Sequence, residues 1–215
     1  MKKVGIYPKF TKYIKNYGLE KKFILEELEE DKIEESLDEN VSQQYLKYAM
    51  SKKQTVDKIE NIVKCLINNN NIRTIVDTTL GSGVILNRLV EKNNRKDMNF
   101  IGYEINDTRR MNLEKEGKFI IRKEFNKKEL KKVDKMKTCL ICDPPWGSWK
   151  IMRYKYSILG LGNFSTMGEI IESSNQIRNF IFVLPSNYYM DDLTYHTNIR
   201  IFKTGKSCLV VHAFI

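Results

Sequence analysis

A β-branched run that breaks on two glycines and resumes as a helix constrains this chain more than any other stretch. Ile75-Val76-Asp77-Thr78-Thr79-Leu80-Gly81-Ser82-Gly83 leads into Val84, Ile85, Leu86, Leu89 and Val90 at helical spacing. A strand that passes through a glycine turn into a helix is the opening unit of a nucleotide-binding α/β domain. Gly81 and Gly83 permit a tight turn and let a ligand approach the backbone where a Cβ would clash. A G-x-G pair alone is weak, because many such turns carry glycine for packing. Its partner is the second apolar run, Asn99-Phe100-Ile101-Gly102-Tyr103-Glu104. In dinucleotide sites an acidic residue about 20 positions beyond the glycines accepts hydrogen bonds from ribose hydroxyls, and Glu104 fits that role. The third glycine that receives a pyrophosphate is missing. This favours S-adenosylmethionine, which carries no phosphate, over NAD.

The remaining periodicity extends the same pattern. Residues 51–67 read as a helix with Val56, Ile59, Ile62, Val63, Leu66 and Ile67 on one face. Strands are expected at 72–77, 98–104, 118–122, 138–142 and 179–184, the last stopped by Pro185. Residues 199–203 and 208–215 read as a closing antiparallel pair. Strands alternating with helical stretches imply a largely parallel sheet covered on both faces. Ligands in such sheets bind at the carboxyl ends of the strands, beside the switch point. Asp77, Glu104 and Asp143 are all expected at those ends.

Asp143-Pro144-Pro145-Trp146 follows the fourth strand directly and carries a second chemistry. The exocyclic nitrogen of a purine is a poor nucleophile because its lone pair is delocalised into the ring. It becomes reactive when a site accepts hydrogen bonds from its N–H groups and favours a more tetrahedral nitrogen. The carboxylate of Asp143 and the main-chain carbonyl of Pro144 can act as those acceptors. Proline fixes φ and donates no N–H, so two in succession hold the carbonyls rigidly. Trp146 offers a π-face for stacking a base, a contact worth roughly 1–3 kcal/mol.

On these motifs the chain resembles the class I S-adenosylmethionine-dependent methyltransferases. Asp77-x-x-x-Gly81-x-Gly83 corresponds to their first motif, Glu104 to the second and Asp143-Pro144-Pro145-Trp146 to the fourth. Their order is unlike that of the permuted mRNA adenosine methyltransferases, which also carry Asp-Pro-Pro-Trp. More narrowly, three features are similar to the trimethylguanosine synthases, the cap guanine-N2 methyltransferases. These are Pro144-Pro145-Trp146-Gly147, then Phe182-Val183-Leu184-Pro185-Ser186-Asn187, and a final hairpin. Tyr48 to Ser51 with Thr55 to Ile59 resembles the segment before their first strand. Lys12 to Leu19 resembles the entry to their helical extension.

The resemblance implies a Rossmann-like class I fold over 51–215, with a mostly parallel sheet ending in an antiparallel hairpin and a small helical extension over 1–50. It implies S-adenosylmethionine held by Thr55, Asp77, Thr78, Gly81, Gly83, Glu104 and Asp143. Asp143, Pro144, Pro145 and Trp146 would perform the chemistry. Trp146, Trp149, Asn187, Lys12 and Lys15 would bind the substrate. That substrate would be RNA, at guanine-N2 of an N7-methylated 5′ cap. Two alternatives stay open: adenine-N6 methylation of RNA or DNA, and a silent methyltransferase fold acting as a nucleic-acid-binding subunit.

Charge agrees with an anionic partner. The net charge is +10 and the pI near 9.3, as suits nucleic acid, although a lysine-rich composition alone gives the same balance. Residues 1–23 carry seven lysines against one acid, interleaved with Tyr7, Phe10, Tyr13 and Tyr17. Residues 26–39 reverse the sign with nine acids, and their leucine spacing reads as a short amphipathic helical segment. Between 107 and 137 twelve cations face six acids with little apolar periodicity, so one helix of the usual fold is expected to be shortened, and the stretch reads as solvated lysines ahead of a nucleic-acid-facing surface. The aromatic and basic stretch after Trp146, with Gly160, Gly162 and Gly168, is where a substrate-gating loop would sit. Cys139 and Cys142 match C-x-x-C, yet three positions apart in a strand they point to opposite faces. No metal or disulfide is expected, and Cys65 and Cys208 read as core. Cysteine usage and the lack of a signal peptide or long apolar run suggest an intracellular address, the nucleus before the cytoplasm in a eukaryote, with no membrane. A monomer is the working expectation.

Overall fold

The structure, a computed structural model, describes residues 23–27, 53–93, 95–145, 161–185, 188, 190, 193, 197–204 and 208–215. Five helices and eight strands are defined among them. In chain order these are β1 (Phe23–Glu27), α1 (Lys53–Asn69), β2 (Thr74–Asp77), α2 (Val84–Lys92), β3 (Asn99–Tyr103), α3 (Asp107–Glu116) and β4 (Ile120–Arg122). Then come α4 (Lys127–Val133), β5 (Thr138–Cys142), α5 (Met167–Glu172), β6 (Asn179–Pro185), β7 (Asn198–Lys203) and β8 (Cys208–Phe214).

The strands form one sheet in the order β1-β7-β8-β6-β5-β2-β3-β4. All neighbours are parallel except β8, which runs antiparallel to β6 and β7. The expected mostly parallel sheet with a closing antiparallel pair is therefore present, and the expected strands and first helix lie within two residues of the observed ones. Their legibility has a simple cause. β5 is buried throughout and β6 nearly so, and a strand covered on both faces is written as an unbroken apolar run.

Alternate side chains of each strand feed two cores. On one face Ile75, Cys139, Ile141, Ile181 and Val210 meet Val56, Ile59 and Val63 of α1, Leu86 of α2 and Leu113 of α3. On the other, Val76, Leu140, Cys142, Phe180 and Phe182 meet Leu130 and Val133 of α4 and Ile170 and Ile171 of α5. Cys139 and Cys142 thus fall in opposite cores, both as free thiols, and burial pushes each well above the ordinary thiol value.

Four expectations need correction. Phe23–Glu27 lies inside the extension expected to be helical, yet it is an edge strand paired with β7 from Phe23↔Ile199 to Glu27↔Lys203. The main chain of Phe23–Glu27 pairs with the open edge of β7, and this tertiary pairing overrides local spacing. The rest of the acidic segment, 28–39, lies outside the described residues. Cys65 is exposed, because helical phase puts it on the outer side of α1 while Leu66 and Ile67 point inward. Gly162 is not a free hinge: at φ 53° a Cβ there would stand 2.4 Å from the Phe125 carbonyl oxygen. Gly168 is buried inside α5.

The basic stretch forms two short helices, where one shortened helix was expected. α3 buries Leu113 alone and is held by its ends. Asn106 accepts the Arg109 N–H at 3.0 Å, and Gly117 closes the helix in the left-handed region. α4 starts at Asn126, whose side chain accepts from Lys128 and Glu129.

Candidate functional site

β2 lies between β5 and β3, so Asp77, Glu104 and Asp143 emerge from the carboxyl ends of three adjacent strands. The chain leaves β2 in one direction, to β3 and β4, and returns on its other side as β5 and β6. The gap between β2 and β5 is therefore the switch point, where a cleft opens because successive connections depart to opposite sides.

The turn after β2 is fixed by its neighbours on both flanks. The Thr78 N–H and hydroxyl both donate to the Ile141 carbonyl, at 2.9 and 3.1 Å. On the other flank the Leu80 N–H donates to the Tyr103 carbonyl at 2.9 Å. Gly81 and Gly83 have φ of 56° and 77°, a region other residues adopt at a cost. Gly83 caps α2 with no side-chain bond to the first turn, which leaves those N–H groups and their partial positive charge facing outward. Leu80 in turn needs a glycine beside it. A Cβ at Gly102 of β3 would come within 2.7 Å of the Leu80 side chain.

Asp77 is buried, with 1% of its surface exposed. Burial pushes its carboxyl up to about 7, against the hydrogen bond from the Thr79 N–H at 3.0 Å; the nearby Asp143 and Glu104 charges add to the rise. The site thus holds an acid that a cationic ligand group would favour in its charged form. Glu104 is buried as well. Its Oε1 accepts the Asn106 N–H at 2.7 Å, while Oε2 takes no hydrogen bond from a described residue. Asp143 is half-buried, Pro144 buried and Pro145 exposed.

Two residues at this edge were missed in reading the sequence. Thr79 joins the halves of the site: its N–H donates to Asp77 and its hydroxyl oxygen accepts the Asp143 N–H at 2.7 Å. No periodicity marks a hydroxyl in a turn. Ile105 follows Glu104 and leaves 59% of its surface exposed, an apolar face beside the expected ribose acceptor. Its signal was present as a large apolar residue placed directly after a strand's terminal acid.

Thr55 stands in the first turn of α1. Its hydroxyl is buried against that of Thr204, 2.9 Å away directly after β7. The Thr78 hydroxyl is spent on the backbone. Trp146, Trp149, Asn187, Lys12 and Lys15 lie outside the described residues. Beyond β4, Arg122, Lys123, Glu124, Asn126, Glu129 and Lys132 line an open polar depression. Its cations are mostly matched by acids: Arg122 and Lys132 both bond Glu129, and nearby Lys127 bonds Glu169. Among the described residues no cluster of three or more His, Cys, Asp or Glu could hold a metal ion. No described helix is long and apolar enough to cross a membrane.

Sheet order, switch point and glycine turn together define the Rossmann-like methyltransferase fold. Solved structures agree. The chain is similar to a human methyltransferase 10 domain containing protein, with 14% identity over 79% of this chain and 84% of the other, and a TM-score of 0.54. It is also similar to the hMettl16 catalytic domain in complex with the MAT2A 3′UTR hairpin 6, at 13% identity, 77% and 71% coverage and a TM-score of 0.50. WbdD matches at 11% identity over 77% of this chain and 41% of its own, with a TM-score of 0.55. At such identities the likeness is one of fold. No family model matches the chain, and no curated protein matches its sequence significantly.

Proposed function

We propose that this chain is an S-adenosylmethionine-dependent N-methyltransferase of RNA, with guanine-N2 of an N7-methylated cap as its acceptor. One observation carries the reading: Asp77, Glu104 and Asp143 stand on three adjacent strand ends at the switch point, and Pro144-Pro145 follows the third. The residues suit the cofactor. Buried Asp77, pushed up by burial and by the neighbouring Asp143 and Glu104 charges, complements a sulfonium or ammonium group, and the glycine turn admits the methionine end. Glu104 offers an oxygen to the ribose, and Ile105 an apolar face to the adenine.

When bound, S-adenosylmethionine supplies an electrophilic methyl group on sulfur. The protein's part is placement. Asp143 and the Pro144 carbonyl accept the N–H groups of the acceptor amine and orient its lone pair. Trp146 is proposed to stack the purine. No strong base is needed, because the proton can leave to water after the carbon–nitrogen bond has formed. Catalysis is then mostly orientation and fixed electrostatics. The hMettl16 neighbour was solved with an RNA hairpin, which supports RNA as the substrate class.

The Asp143 carboxylate also supports a second reading, adenine-N6 methylation of RNA or DNA, since it can accept both protons of an adenine amine. Transfer of labelled methyl groups to a panel decides between them. The panel holds RNA with an N7-methylated cap, RNA with an unmethylated cap, uncapped RNA and duplex DNA. N2-methylguanine formed only on the N7-methylated cap is the expected product. Label on adenine would replace the first reading with the second. Cofactor binding without transfer to any member would remove both acceptors.

A further inference from the structure

We infer that Thr79 is a positioning residue that locks the acceptor loop onto the cofactor turn. The inference rests on the proposed methyltransferase reading and names a residue which that reading does not use.

Pro144 and Pro145 have no N–H, so Asp143 holds the one main-chain donor of the segment 143–145. The β2–β5 ladder is regular up to Asp77↔Ile141, and the Thr78 N–H continues it to the Ile141 carbonyl. In an undistorted parallel ladder the next bond would run from the Asp143 N–H to the Thr78 carbonyl. The chain instead turns toward Gly81, and the Thr79 hydroxyl oxygen takes the Asp143 N–H at 2.7 Å. A side chain thus replaces a carbonyl at the point where the two loops part.

The same residue faces the cofactor side. Its N–H donates to Asp77 Oδ1 at 3.0 Å, and its side chain helps to hold the Asp77 carboxyl down against burial. Thr79 therefore ties the buried acid of the first motif to the one main-chain N–H of the segment 143–145. Without the hydroxyl, 143–145 would keep its covalent anchor on β5 but lose the bond from the Asp143 N–H to the turn after β2. A shift of about 1 Å at a reacting group can cost on the order of a hundredfold in rate.

The test uses the full chain with Thr79→Val, which keeps the shape without the hydroxyl, Thr79→Ser, which restores it, and Thr79→Ala as a second deletion should valine fail to fold. Two readouts are taken: methyl transfer with separate kcat, acceptor KM and cofactor Kd, and amide exchange of Asp143 followed by NMR. Valine or alanine is expected to lower kcat about tenfold to a hundredfold, with cofactor Kd within about threefold and the Asp143 amide deprotected. Serine is expected to restore both. Equal losses in kcat and cofactor affinity, or a serine variant as impaired as valine, would reduce Thr79 to a structural role and overturn the inference. If wild-type protein transfers to no acceptor, the methyltransferase reading fails first and exchange alone decides the lock. Protection lost in valine and regained in serine upholds it, and protection unchanged in valine removes it.

Discussion

The hydroxyls of Thr55 and Thr204 meet at 2.9 Å across 149 positions of sequence. The pair pins the first turn of α1 to the residue that follows β7, three strands from β5 in the sheet. Thr55→Val leaves Thr204 with one partner fewer in a buried setting. It should cost about 1–2 kcal/mol, read as a lower urea midpoint at constant slope. Cofactor affinity should stay within about threefold. A tenfold loss of affinity would return Thr55 to the cofactor site.

Asp77 gives the protein a pH dependence of known sign. Its carboxyl is pushed up to about 7 chiefly by burial, against an ordinary value of 3.8. Between those values the folded chain holds a proton that the unfolded chain has released. This group's contribution to stability is therefore fully present below the lower value, falls as pH rises and levels off above about 7. Asp77→Asn should remove that slope and melt higher than wild type above neutrality. A cationic cofactor group favours the ionised acid, so cofactor binding at about pH 6 should release a proton. Calorimetry in two buffers of different ionisation enthalpy reads that release directly, and its absence would detach Asp77 from the cofactor.

Asp134 behaves in the opposite sense. Burial pushes it up, but the N–H groups of Asn175, Gln176 and Ile177 and the Ser174 hydroxyl together hold it below the usual carboxylate value. Its contribution is present at neutral pH and disappears as pH falls through its lowered folded value. Asp134→Ala should cost about 2–3 kcal/mol and loosen the chain entering β6. Matching urea midpoints for the two proteins at neutral pH would contradict this.

Gly102→Ala tests the seat of the glycine turn. The added methyl would lie 2.7 Å from a Leu80 side chain that is itself buried, so Leu80 must move and carry Gly81 with it. A stability loss of about 1–3 kcal/mol is expected, with weakened cofactor binding. Leu80→Ala in the same chain should recover part of the affinity. Failure of that second substitution to help would place the damage elsewhere.

How much of this was written in the sequence depended on the range of the interaction. β5 is an apolar run, and its ends were readable to the residue. The three acids at the sheet edge were legible because each terminates such a run. β1 was not, since its sole described partner lies more than 170 positions away and nearby acids suggested a helix instead. α3 and α4 bury too little to show a stripe, and their signal was in the caps Asn106, Gly117 and Asn126. Thr79 and Thr55 mark the limit of local reading. Each is a small hydroxyl whose role is set by a partner 64 or 149 positions distant.

β8 has β6 on one side and β7 on the other, both earlier in the chain. As the polypeptide emerges during synthesis, β2 to β6 can assemble in order around the switch point. β7 has no place in that growing sheet, and β1, which waits on β7, has none either. Both are stranded until Cys208–Phe214 has been made and inserts between β6 and β7. The half that carries the three acids can therefore form early, while one flank of the sheet is held open for a segment translated after everything it joins.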